Sequence, residues 1–288
     1  MIITMRRKIR FLFIVPVWAF MSCRSAASVE TTLPESRPAP VISSAKPDAP
    51  ANKIWQLHLI TQSQSYQAES ISILESGGIR DSLVSQLRLT LNSQPEEATI
   101  VFSGTINSIS IHAGSRLGQT EPLNVPIAFS GHVDKGSISL ISPTECDEKH
   151  APVELLVPQI LIRFPENQLT IGSSWADSIV LSTCNGMMPI TTTVITHYRI
   201  AGTANVEGQE ALVIDRTEQR TSRGGGSKEQ HQVTLEGSST GVSQVWIDST
   251  TGRLLKSTAD ATGMVAVTAS GRTQTFNQRI RTVIAANR

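Results

Sequence analysis

Apolar and polar residues alternate along most of the chain from residue 54 onward, in short runs bounded by Gly, Asp and Ser. Trp55, Leu57 and Leu59 stand against Gln56 and His58, Ile71 and Ile73 sit among serines ahead of Glu75-Ser76-Gly77-Gly78, and Leu83, Leu87, Leu89 and Leu91 share one parity. A period of two sends successive side chains to opposite faces of a strand, so these runs predict half-buried β-strands. Residues 98–111 predict one long strand bent at Gly104 or two consecutive strands, and residues 123–133 with 137–141 predict a hairpin turning at Asp134-Lys135-Gly136.

The alternation returns, stronger, in the C-terminal part. Strands are expected at 190–200, 210–220, 230–235, 241–247, 253–258, 264–269 and 273–284, with turns at 202–208, 223–227, 248–252 and 270–271. Connections this short leave no room for parallel crossovers, so the sheet is expected to be antiparallel with consecutive strands as neighbours.

Residues 144–177 follow neither pattern. Val153, Leu156, Val157, Ile160, Leu161 and Phe164 recur at three and four residues, the spacing of one helix face. Pro152 suits a first helical turn, whereas Pro158 in the interior predicts a kink or two short helices. The stretch 161–177, LIRFPENQLTIGSSWAD, breaks at Pro165 and turns at Gly172-Ser173-Ser174 before Trp175, so it is the connection on which both β regions pack. The expected fold is mainly β, an antiparallel curved sheet or half-barrel meander in two halves (54–143 and 178–288), with a short kinked helix between them.

The first residues change where this domain is placed. Arg6, Arg7, Lys8 and Arg10 precede an apolar run over 11–20 that Pro16 interrupts. A membrane helix needs about twenty apolar residues and a signal-peptide core about seven to fifteen, so residues 1–22 read as an export signal. Phe20-Met21-Ser22-Cys23 resembles the lipobox of bacterial lipoproteins, which implies that Cys23 is lipidated and becomes the new amino terminus; Ser25-Ala26-Ala27 offers an ordinary cleavage site instead. Residues 23–53, rich in Pro, Ser and Ala, are expected to form a disordered tether. Arg24 stands where an inner-membrane retention signal has aspartate, so the expected address is the outer membrane.

A net charge of +1, 17% charged residues and no block of like charge exclude a nucleic-acid binder. Cys146 and Cys184, in an exported chain, are expected to pair in a disulfide worth roughly 3–4 kcal/mol, and neither has the C-x-x-C spacing of a metal site. Gly237-Ser238-Ser239-Thr240-Gly241 matches G-x-S-x-G but no helix follows it, so it reads as a polar hairpin end. The run Gly224 to Lys228, GGGSK, lacks the spaced glycines of a phosphate loop and reads as a flexible hairpin loop. Glu145, Asp147, Glu148 and His150 read as a solvated loop. No catalytic residue, metal site or cofactor is expected.

The segment Trp246 to Ser257, WIDSTTGRLLKS, resembles the strand-turn-strand of periplasmic lipoprotein-carrier and related half-barrel families. The layout from residue 161 to the end, with its Gly172 to Trp175 step, is similar to that of bacterial envelope lipoproteins. The resemblance implies a curved, lipid-accommodating sheet with a helical cover. The expected function is that of a non-catalytic envelope lipoprotein, held to the membrane by its N-terminal lipid, that binds or carries a lipid or other hydrophobic ligand. Its pocket is expected at Leu156, Ile160, Phe164, Trp175 and Trp246. The alternative is a structural or protein-interaction module of the cell surface whose interior is filled, because apolar inner faces serve a filled core and a hollow one equally well.

Overall fold

The two ends of the meander find each other. In the computed structural model, which describes residues 53–57, 60–97, 99–113, 126–134, 137–140, 151–185, 188–228 and 231–287, eleven strands close into one barrel. The strands are β1 (Gln62–Ser76), β2 (Ile79–Glu96), β3 (Thr99–Ala113), β4 (Ile127–Asp134), β5 (Ser137–Leu140), β6 (Ser174–Asn185), β7 (Met188–Val206), β8 (Gln209–Lys228), β9 (His231–Asp248), β10 (Leu254–Ala269) and β11 (Arg272–Asn287). One helix, α1 (Ala151–Ile160), lies between β5 and β6. Cys23, Cys146, the export signal, the tether to residue 52 and the acidic loop at 145–150 lie outside the described residues.

Consecutive strands are antiparallel neighbours, as the short turns require, except that β5 meets β6 in parallel at Ser137 and Val180. The expected half-barrel in two halves is corrected at the opposite seam. There β1 pairs with β11 in antiparallel register from Ser65 and Asn287 to Glu75 and Asn277. An open half-barrel would leave both strands with unpaired N–H and C=O rows, and pairing them removes two edges at once.

Several expected turns are instead strand. GGGSK belongs to β8, because a side chain at Gly224 would meet Ile190 Cγ1 and the Pro189 carbonyl at 2.9 Å; the glycines let β7 pack closely. The Gly237 to Gly241 run lies within β9 for the same kind of reason: a Cβ at Gly241 would come 3.2 Å from that of Ala261. The 98–111 region is one strand that bends by a bulge at Asn107, since Arg88 pairs with Ser108 and Leu89 with Ile106. A similar register shift between Ile200 and Gly202 keeps Gly202 within β7, so the expected turn shrinks to Glu207-Gly208.

The barrel wears its polar face outward. Thr193, Thr217, Thr240, Thr262 and Arg279 point to water, and large exposed apolar side chains such as Ile195, Val242 and Met264 stand singly among them. A membrane-spanning barrel carries an outward apolar band flanked by aromatic girdles. This wall is the inverse, with its apolar residues inside, as in a water-facing barrel.

Helix α1 ends at Ile160, earlier than the expected Phe164, and keeps Pro158 in its last turn. Val153, Leu156, Val157, Gln159 and Ile160 are all buried, more than a single stripe of the helix surface. These side chains pack within the barrel, where Leu155, Leu156 and Gln159 meet the strand wall. The chain that leaves the helix, residues 161–173, closes one mouth. Leu169 exchanges backbone hydrogen bonds with Trp55 at 2.8 Å, Gly172 donates to the Ile200 carbonyl and Ile200 to that of Ser173, both at 2.9 Å.

Candidate functional site

The barrel is filled at both ends and hollow in the middle. At the end closed by residues 161–173, Tyr66, Leu89, Phe102, Ile106, Ile200, Ile214, Ile247 and Ile284 make the larger apolar cluster. At the other, Met188, Ile190, Val233, Leu235, Val265 and Val267 make a smaller one. Between them the strand register sets inward-facing rows whose β9 and β10 positions are all small.

The rows can be followed strand by strand. Arg216 is paired with Tyr198 and Ser243, and onward around the wall come Ala259, Thr282, Ser70 and Ser85. Glu218 is paired with Thr196 and Gly241, followed by Ala261, Ile280 and Ser72. Arg220 is paired with Val194 and Ser239, followed by Gly263 and Gln278. A barrel interior needs bulky residues to fill it, and Ser, Ala and Gly at these positions leave space. The result is a cavity of about 130 Å³, bounded by the three charged residues of β8, by Ser70, Ser85, Gly241, Ser243, Ala259 and Ala261 of these rows, and by Leu155, Leu156 and Gln159 of α1. A smaller cavity of about 20 Å³ lies by β6 and β7, lined by Asp177, Arg163 and the same three charged residues of β8.

Those three form a ladder. Alternation along β8 puts Arg216, Glu218 and Arg220 on the inner face, and the Glu218 carboxylate accepts hydrogen bonds from Arg216 Nη2 and Arg220 Nε. The Arg216 side chain is 5% exposed and that of Glu218 10%, burial that charged residues reach only when paired. Burial by itself pushes the Glu218 carboxyl up, but the Arg220 and Arg216 guanidiniums outweigh it and hold it down at about 2. Burial acts against the Arg216 charge as well, and Glu218 then Tyr198 more than restore it. Burial raises the Tyr198 hydroxyl, which stays neutral. Arg216 Nε is buried without a hydrogen-bond partner.

An aromatic stack backs the ladder. Trp175 stacks on Tyr198 with ring centroids 5.0 Å apart and planes 10° from parallel, Phe164 packs on the far side of Trp175 at 6.2 Å, and the Arg216 guanidinium lies 6.0 Å from the Tyr198 ring centre. Trp175 Nε1 donates to the Arg163 carbonyl at 3.1 Å, which fixes the ring against the connection.

Of the residues expected to line a pocket, Leu156 does so. Ile160 is buried in the larger apolar cluster, and Phe164 and Trp175 support Tyr198 from behind without reaching the cavity. Trp246 is corrected: Val245 and Ile247 take the inward positions of β9, so parity turns Trp246 outward, where Lys256 Nζ sits 5.3 Å from its ring centre. Sequence reasoning passed over the β8 ladder and the small-residue rows. Their signals were present, as charges at every second position in RTEQR and as small residues at every second position in SSTGVS and TADATG.

Among the described residues no histidine or cysteine borders the larger cavity, and no group of three His, Cys, Asp or Glu side chains is placed to hold a metal. Ser239 does border it, and among the described residues no imidazole lines the same cavity. Fold and site together define a water-facing closed β-barrel with an internal helix and a partly hollow, charged lumen. No family model matches the chain, and no curated protein matches it. Among solved structures it is similar to the hypothetical lipoprotein YmcC of Escherichia coli, at 15% identity over 76% of this chain and 84% of that one, with a TM-score of 0.26. It is also similar to a mutant of the Rh. blastica porin (6% identity, 79% and 100% covered, TM-score 0.24) and to Pseudomonas aeruginosa OpdQ (7%, 79% and 99%, 0.22). At such scores these likenesses carry no argument, and the reading rests on the chain's own residues.

Proposed function

We propose that this protein is a non-catalytic lipoprotein of the bacterial cell envelope, anchored through Cys23, that binds a hydrophobic ligand inside its barrel. The observation that carries the reading is the hollow middle of the lumen. In three successive rows the β9 and β10 positions are Ser, Gly or Ala where Val, Leu and Ile would complete the core, between the two apolar clusters. Leaving apolar space empty forfeits dispersion contacts and stability, so a maintained cavity supports an occupant. The size narrows the expected cargo. An engineered 150 Å³ apolar cavity holds benzene, so about 130 Å³ admits one short acyl chain or one ring and not a diacyl lipid.

Native mass spectrometry of the full chain purified from an envelope extract tests this. A bound mass lost on denaturation is expected; a bare protein that also fails to take up a fluorescent fatty acid would favour an interaction module of the cell surface. For the anchor, cells fed radiolabelled fatty acid are expected to label the wild type and not Cys23→Ala, and label that persists in the variant would refute lipidation at Cys23.

A further inference from the structure

We infer that the lumen is built for an amphipathic monoanion, a carboxylate on a short acyl or single-ring body, with its charged end on Arg216. The inference rests on the reading above that the lumen binds a ligand and adds what the ligand's head must be.

Three observations carry it. The cavity wall divides into an apolar part, with Ala68, Leu87, Ile109 and Leu156, and a charged part on β8. Among the described residues the charges do not balance: Arg216 and Arg220 share one carboxylate, that of Glu218. In the smaller cavity Arg163 and Asp177 add one charge of each sign and leave the excess in place. Asp260, whose strand position borders the larger cavity, turns its carboxylate outward to Arg279, 4.0 Å away. Third, Arg216 borders both cavities, and of its donors Nη2 is engaged by Glu218.

For a guanidinium that borders the cavity a carboxylate is the acceptor that returns the most, since a charge-assisted hydrogen bond is about twice as strong as a neutral one. One excess positive charge matches one negative charge. A dianion would leave buried charge unmatched, and an ammonium would meet the excess with the same sign.

Calorimetric titration of the full chain with octanoate, 1-octanol and octylammonium tests the inference. Octanoate is expected to bind about tenfold more tightly than octanol, and octylammonium not measurably. Arg216→Gln is expected to remove the preference for octanoate while leaving octanol binding in place, with far-ultraviolet circular dichroism confirming the barrel. Ala261→Leu, which fills the cavity and leaves the β8 ladder intact, is expected to abolish both, and it keeps the test decisive should Arg216→Gln fail to fold. Equal binding of octanoate and octanol, or a preference that survives Arg216→Gln, would overturn the anion site and leave hydrophobic binding standing. Binding of neither would overturn both.

Discussion

Replacing Glu218 by Ala is expected to destabilise the barrel by about 3 kcal/mol, because it takes from the buried Arg216 and the part-buried Arg220 the carboxylate they share. For a domain of this size each kcal/mol moves Tm by roughly 2–4 °C, so a fall on the order of 10 °C is expected in thermal unfolding. The combined variant Arg216→Met, Glu218→Leu and Arg220→Met is expected to be close to wild type in stability, since apolar side chains of similar volume replace a buried ion network at little net cost. A large loss in the triple variant would mean that the ladder holds the fold and is not there for a ligand. Acid sensitivity follows from the same group. The folded-state value of Glu218, about 2, lies below its ordinary 4.5, so its contribution is complete above pH 4.5 and disappears as pH falls from there toward 2. The amount is on the order of 3 kcal/mol, and Glu218→Gln is expected to flatten that part of the stability profile. An unchanged acid slope in that variant would place its source elsewhere.

Gly131→Val is expected to be the other strongly disruptive change. On β3 and β4, Gly104 is paired with Phe129 and Phe102 with Gly131, so each ring lies over the glycine opposite. A Cβ at Gly131 would stand 2.6 Å from Phe102 Cζ and 2.3 Å from the Ser139 carbonyl, and one at Gly104 would stand 2.5 Å from Phe129 Cζ. The two rings, 6.4 Å apart, are locked into the closed end by this exchange. Overpacking usually costs 1–3 kcal/mol, and contact with backbone, which cannot rotate away, puts Gly131→Val at about 3 kcal/mol. Phe102→Leu added to Gly131→Val is expected to recover part of the loss in denaturant titrations. Strict additivity of the two would show that the ring does not occupy the glycine's space.

The strands were legible because each buries one parity of side chains, and the alternation of β1, β2 and β7 is visible residue by residue. The helix was legible from Val153, Leu156, Val157 and Ile160, but its place inside the barrel was not, because one apolar face suits a cover on the sheet equally well. Closure was not legible, since nothing in β1 or β11 names its partner more than 200 positions away; pairing of two edges depends on the curvature of everything between them. The turn errors at Gly224 and Gly237 share a cause. Glycine permits a turn and equally permits close approach of a neighbouring strand, and which of the two applies is decided by the strand alongside. The site escaped notice because its evidence is small residues. A pocket in a barrel wall is written as Ser, Ala and Gly in alternate positions, and a search for large apolar side chains found the core and one outward tryptophan instead.

The pairing of β1 with β11 also governs how the chain can acquire its shape. A polypeptide released from its N-terminus forward presents β1 first and the strand that completes it last, so an open edge along β1 persists until residues 272–287 have emerged. During that interval the growing sheet exposes an apolar inner face and an unpaired rim, the two features that recruit other chains. Contacts spanning this much sequence also form slowly. The architecture therefore leaves the chain prone to association until its last strand arrives, and makes loss of that strand a route to aggregation.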